Sequence, residues 1–143
     1  MKSVASIFLI VGLGCASGPV PVAQEPIDWQ AATDRWSLQI VTLDPDDDKR
    51  VTRIWLANVD SEASLRTGDS RWWHNLVRDP NCRIRLSGID YPVRVEFVTE
   101  HEEKARIDDA FGEKYGWLER VMFRKERGET HENYARLHQS ETH

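Results

Sequence analysis

The sequence predicts an α+β domain in which about six strands, mostly paired antiparallel, close toward a barrel around two or three helices. Three observations carry this reading. Strands come in runs joined by short turns, rather than alternating one by one with helices as a parallel sheet requires. Residues 82–98 alternate apolar and polar side chains on both sides of a turn carrying Gly88 and Asp90, which describes a hairpin with one buried face. A sheet of this size leaves two unpaired edges, and closure removes them.

The chain has 143 residues, which suits one domain. Charged residues make up 30% and hydrophobic ones 40%, a globular balance rather than a disordered one. The formal net charge of −5 argues against a dedicated nucleic-acid binder, yet leaves room for a local basic pocket.

Residues 1–17 stand outside the folded domain. Lys2 supplies a positive start, and residues 4–13 are apolar but too short to span a bilayer comfortably. Small residues follow at Gly14, Cys15, Ala16 and Ser17, as in a secretory signal. The stretch "VGLGCAS" resembles a bacterial lipobox, with Gly12 where leucine is commonest. Lipidation at Cys15 is one expectation. Ordinary cleavage, or retention as an uncleaved anchor, is the other. Both place the protein outside the cytoplasm, in the periplasm or cell envelope, and touching membrane only through this segment. Residues 18–27 form a linker, since residues 18–24 are rich in proline and small side chains. The domain is expected over 28–143.

Within it, residues 28–35 read as a short helix and 36–43 as a strand. The charged stretch "DPDDDKR" over 44–50 reads as a tight reversal rather than a metal loop, because no glycine-spaced calcium pattern follows. Residues 51–59 read as one strand with Trp55 near its middle, and 63–67 as a third. A helix over 70–79 is followed by strands over 82–86 and 91–98. Cys82, Ile84 and Leu86 face inward, opposite Arg83 and Arg85; Val93, Val95 and Phe97 oppose Arg94 and Glu96. Cys82 is read as a small buried hydrophobe. Residues 100–114 are helical, with Ile107, Ala110 and Phe111 at helical spacing, and Gly116 breaks the run. Residues 117–123 add one or two helical turns, and 133–138, "NYARLH", a last strand.

The helix over 70–79 carries the chemistry. Trp72, Trp73, Leu76 and Val77 fall on one stripe, and Arg71, His74, Asn75 and Arg78 on the other. Asp69 or Ser70 is the N-cap, and Pro80 ends the helix and pushes Asp79 out of helical geometry. A helix N-terminus offers unpaired N–H groups and partial positive charge. Arg66, Thr67, Ser70 and Arg71 gather around that end, and Gly68 lets the backbone turn closely. Guanidinium forks and hydroxyls are what phosphate recognition needs. The alternative is a capped surface helix with two solvated arginines.

The stretch "LRTGDSRWWHNLVRDPNCRIRL" (65–86), followed by "YPVRVEFV" (91–98), resembles the split β-barrel flavin-binding superfamily. That superfamily includes pyridoxamine-phosphate-oxidase-like and deazaflavin-dependent nitroreductase-like proteins. The matching positions are Thr67, Ser70, Arg71, Asn75, Leu76, Asp79 and Pro80. The resemblance covers residues 36–98, and "YARLHQ" would be the closing strand. It implies a split antiparallel β-barrel and a homodimer with the cofactor, flavin mononucleotide (FMN) or a deazaflavin, at the subunit interface. Arg66, Thr67, Ser70 and Arg71 would hold its phosphate, with Asn75 in the same motif, and Trp55 and Trp72 would line the ring pocket. The activity implied is an oxidoreductase acting on a small organic substrate, with the cofactor carrying the chemistry and no catalytic acid or base assigned. A non-catalytic binding module for a small ligand or protein partner is the competing reading.

The five histidines, His74, His101, His131, His138 and His143, show no i, i+4 metal pair. Some related split barrels bind haem, and His74 and His138 are the axial candidates for that case. No metal site is expected.

Overall fold

A computed structural model describes residues 18–122 and 133–140; Cys15 and the segment read as its anchor lie outside them, as do residues 123–132 between α3 and the last strand and residues 141–143. The helices are α1 (Trp29–Asp34), α2 (Arg71–Arg78) and α3 (His101–Met122). The strands are β1 (Leu38–Leu43), β2 (Lys49–Ile54), β3 (Ala57–Val59), β4 (Glu62–Thr67), β5 (Asn81–Leu86), β6 (Ile89–Phe97) and β7 (Asn133–Gln139). They form one sheet in the order β2-β1-β5-β6-β7-β4-β3, with every neighbouring pair antiparallel. The α+β class stands, with seven strands and three helices among the described residues.

The extra strand comes from a break in residues 51–59. β2 and β3 lie at opposite ends of the strand order, yet only Trp55 and Leu56 join them. Three Cα steps span at most about 11 Å. The two sheet edges must therefore approach each other, and the sheet curls into a split barrel with its seam at Trp55–Leu56. α3 locks this seam. Lys114 Nζ donates to the carbonyls of Leu56 (2.5 Å), Thr33 (2.5 Å) and Arg35 (2.7 Å). The Tyr115 hydroxyl donates to the carbonyls of Trp36 (2.9 Å) and Leu56 (3.3 Å). Burial lowers the Lys114 ammonium to about 8 and raises the Tyr115 phenol to about 12.

Short turns set the registers. Ser87 and Gly88 (φ 52° and 77°) close the β5–β6 hairpin, and Asp60 and Ser61 (φ 51° and 68°) close β3–β4. Two successive left-handed residues match the right-handed twist of the strands they join. The aspartate run makes a turn closed by Asp44 N–H to Asp48 O and Asp47 N–H to Asp44 O, both 2.9 Å. Before α1, Val22 bridges Asp90: Ala23 N–H donates to Asp90 O and Asp90 N–H to Pro21 O, each at 2.9 Å. The proline-rich stretch thus touches the hairpin.

The core lies inside the curl. Ile40, Leu65, Ile84, Val93 and Leu137 from five strands pack with Trp72, Trp73 and Leu76 of α2. A second cluster, Ile107, Phe111 and Tyr115 of α3 with Ala57, Val59 and Tyr134, seals the other side. Cys82 is buried as expected, and burial pushes its thiol up to about 12. α3 bends at Gly116 (φ 50°, ψ −123°), a conformation that glycine adopts at low cost. Phe97 departs from the expected inward set and is partly exposed.

α2 begins at Ser70 in extended conformation and ends at Asp79 (φ −141°), as the following Pro80 demands. Its inward face is rotated from the expected stripe. Val77, expected inward, is 60% exposed, and Asn75, expected outward, is 3% exposed. At about 100° per residue, Trp72 and Leu76 define the centre, Trp73 and Asn75 flank it, and Val77 falls beyond. Asn75 Nδ2 donates to Thr42 Oγ1 (3.0 Å) and Asp44 Oδ1 (2.8 Å). Arg50 forks onto the same carboxylate at 2.8 and 2.7 Å. The hydrogen bonds from Arg50 and Asn75 hold the Asp44 carboxyl down at about 2.

Two outcomes follow. Leu76→Ala should cost about 2–4 kcal/mol in urea unfolding, because Leu76 is fully buried where α2 meets the sheet. Asp44 ionises more readily folded than unfolded. Its contribution is therefore complete above its ordinary value of 3.8 and is lost as pH falls through about 2. Asp44→Asn should lower stability at neutral pH and flatten its decline across that acid window. An unchanged acid slope in urea midpoints would remove Asp44 from this role.

Candidate functional site

Beside the seam, the ends of β2 and β4 border a cavity of about 230 Å³. Arg53, Ile54 and Trp55 line it from the β2 side, and Arg66, Thr67 and Gly68 from the β4 side. Trp72 closes it from the first turn of α2, and Phe111 from α3. Four of the residues expected from sequence therefore meet in one place: Trp55, Arg66, Thr67 and Trp72.

The loop between β4 and α2 is held at both ends. Asn133 Nδ2 donates to Gly68 O (3.0 Å), and Thr67 Oγ1 to Ser70 Oγ (3.3 Å). Ser70 occupies the N-cap position without making a side-chain cap bond, and no acidic residue stands in the first turn. The α2 terminus thus keeps its partial positive charge free of a carboxylate in that turn. Asp69, the other cap candidate, meets His74 Nε2 at 2.5 Å on the surface.

Arg66 is the most constrained of the group. Its side chain is 7% exposed; Nη1 reaches Asp108 Oδ1 at 2.5 Å, and the guanidinium carbon lies 4.6 Å from the Phe111 ring centre. The Tyr134 hydroxyl donates to both oxygens of Asp108 at 3.0 and 2.9 Å. Burial, then the Asp108 carboxylate, raises the Tyr134 phenol to about 12. Asp108 therefore offsets the Arg66 charge at the cavity wall.

Ser70, Arg71 and Asn75 do not line the cavity. Ser70 adjoins it through Thr67. Arg71 is exposed at the helix start and acts electrostatically on Asp44. Asn75 points to the β1 side, where it ties α2 to Thr42 and Asp44. Trp73 is a core residue, edge-on to Phe97 with ring centres 5.2 Å apart. Trp55 stacks on Tyr115 at 4.1 Å and 11°, with Trp36 edge-on to the same tyrosine at 4.8 Å.

Sequence reasoning missed Arg53, Ile54, Phe111 and Asp108. Phe111 was legible only as helix core, and Arg53 only as one position in the strand read over 51–59. Nothing in the chain order announces that α3 crosses the β4 end. His74 pairs with Asp69 and His138 with Glu96, and neither lines the cavity. Among the described residues no three His, Cys, Asp or Glu side chains gather as a metal site.

The donor set suits an anionic group beside a flat apolar one: a threonine hydroxyl, an uncapped helix start and arginine near tryptophan and phenylalanine walls. The volume is below the roughly 300–1,000 Å³ usual for small-molecule pockets, so one protomer encloses only part of a mononucleotide-sized ligand.

Comparison with solved structures shows the same fold in several proteins. The heme storage protein HutZ from Vibrio cholerae aligns with a TM-score of 0.60 at 14% identity, covering 79% of this chain and 87% of that one. The conserved hypothetical protein Rv2991 from Mycobacterium tuberculosis gives 0.55 at 19% identity, covering 82% of each chain. An F420-H2 dependent reductase, FDR-A, gives 0.54 at 11% identity, covering 73% of this chain and 95% of that one. At these identities the likeness is one of fold, and it places the chain in the split-barrel architecture that the sequence motif suggests. Comparison with curated proteins gives no match. A family model matches residues 29–133, from the first turn of α1 into the start of β7, and on that span the chain belongs to the family described as "Uncharacterized protein conserved in bacteria (DUF2255)".

Proposed function

We propose that this protein binds a flavin or deazaflavin at the seam cavity and serves as an oxidoreductase for a small organic substrate. The observation that carries the reading is convergence. Thr67 at the end of β4, Trp55 at the joint between β2 and β3, and Trp72 in the first turn of α2 border one cavity, and the uncapped start of α2 adjoins it through Ser70 and Thr67. The F420-H2 dependent reductase of the same fold adds support at the level of architecture.

In this reading the Thr67 hydroxyl and the N–H groups at the α2 start hold the phosphate, with Ser70 beside them. Arg71 and Arg66 add positive charge, and Trp55, Trp72 and Phe111 exclude water from the ring. The bound cofactor supplies hydride or electron transfer. Because one protomer encloses only part of such a ligand, the working form is a homodimer whose second copy completes the pocket. Export, with a lipid anchor at Cys15, belongs to the same proposal.

Two observations favour the second reading, a non-catalytic binding module. Asp108 already occupies Arg66, and the enclosed volume is small. The HutZ fold match is compatible with ligand holding of this kind.

An absorption spectrum of the purified protein, before and after incubation with FMN and with a deazaflavin, separates the two. Retained chromophore near one per subunit is the expected result; a colourless protein that takes up neither would replace the redox reading by the binding module. Two variants then test the site. Arg71→Ala should weaken cofactor binding about tenfold, the worth of one charge-assisted contact, while changing stability by less than about 0.5 kcal/mol. Arg66→Ala should weaken binding and also lower stability by about 1–2 kcal/mol, because Asp108 loses its partner. Unchanged binding titrations in both would sink the phosphate assignment.

A further inference from the structure

On the outward face of the sheet, beside the seam, a groove of about 210 Å³ runs between the β5–β6 turn and the start of β1. Register explains its chemistry. Gln39 on β1 stands opposite Arg53 on β2 and opposite Arg85 on β5, so the three side chains form one row across adjacent strands. Ser37 and Ser87 continue the row's face two residues on, and Arg35 enters from the end of α1.

The charges in this row are unequal. Arg85 is neutralised by a two-pronged pair with buried Asp90, at 2.7 and 3.1 Å. Arg35 and Arg53 are not. Among the described residues, Arg35 Nη2 donates to Ser87 Oγ (2.6 Å), Arg53 Nη1 donates to Ser37 Oγ (3.1 Å), and neither meets a carboxylate within ion-pair distance. Each serine oxygen accepts from an arginine, which leaves its own O–H proton to donate elsewhere. The groove therefore presents two uncompensated guanidinium groups and two hydroxyl donors, in a chain whose overall charge is −5. Like charges gathered in one groove repel each other, and an oxyanion satisfies every member of the cluster.

We propose that the Arg35–Arg53 groove is an anion subsite that takes the phosphate or carboxylate group of a small-molecule ligand. Arg53 borders both this groove and the seam cavity. A ligand lying against Trp55 can thus extend an anionic substituent over Arg53 to Arg35. The subsite does not depend on a cofactor being bound at Thr67.

The test is titration of the ¹⁵N-labelled full chain with inorganic phosphate and, separately, with phenyl phosphate, read at the Ser87 and Gly88 amides and at the Trp55 indole N–H. Saturable shifts at Ser87 and Gly88 are expected. Arg35→Gln and Arg53→Gln should each weaken them at least fivefold, with amide positions elsewhere unchanged, while Arg71→Gln leaves them as they are. Phenyl phosphate binding more tightly, with a Trp55 shift, would identify the anion as a substituent of a larger ligand; equal affinity for both would identify a free oxyanion. Absence of saturable shifts at Ser87 and Gly88, or shifts undiminished in Arg35→Gln and Arg53→Gln, would overturn the proposal. A protein that takes up no flavin yet binds phosphate here keeps the subsite and loses only the redox reading.

Discussion

Two residues joining the opposite edges of one sheet constrain everything else in this molecule. Trp55 and Leu56 leave no freedom for the sheet to lie flat, so the curl, the enclosed core and the seam are one geometric fact. The seam then has to be satisfied chemically. Leu56 O lies where two strands end, and a buried carbonyl needs a partner. Lys114 and Tyr115 provide it from α3, and Lys114 simultaneously ties the end of α1 to the same point. A single ammonium thus holds a helix end, a sheet edge and a loop in fixed relation.

The cavity arises from the same geometry. Where β2 and β4 end beside the seam, no strand ladder fills the space, and α2 and α3 cover it only partly. α2 can serve as a wall because its far side is anchored: the Asn75–Asp44–Arg50 cluster fixes the helix against β1 and β2. Rigidity on one side lets the N-terminus be left uncapped on the other. Arg66 shows the reverse trade, since a guanidinium buried against Phe111 requires Asp108, and Asp108 in turn engages Tyr134.

Much of this was legible in the chain, for identifiable reasons. The β5–β6 hairpin announces itself because Cys82, Ile84, Leu86, Val93 and Val95 alternate strictly with charge, and Gly88 marks the turn. The limits of α2 follow from Ser70 and Pro80. The gathering of Trp55, Arg66, Thr67 and Trp72 followed from a motif, not from spacing alone. The break at Trp55–Leu56 was hidden because both residues are apolar and suit a continuous strand; only the pairing of distant edges creates it. Asn75 was misplaced because a wheel assigns polar residues outward, whereas its amide is buried against a carboxylate that lies 31 positions earlier. Arg53 and Asp108 gain meaning only from elements far away in sequence, and no local pattern encodes them.

The position of β7 in the sheet has a consequence for how the chain comes to be folded. It is the last described element to be synthesised, yet it lies between β6 and β4 in the strand order. Until it emerges, those two strands wait with exposed edges, and the two parts of the sheet have no hydrogen-bonded connection. The nascent chain therefore keeps its sheet in two parts until this last described strand is available. Insertion of that one strand then completes both ladders at once and brings Tyr134 beneath α3, so that barrel and cavity wall are finished in the same event.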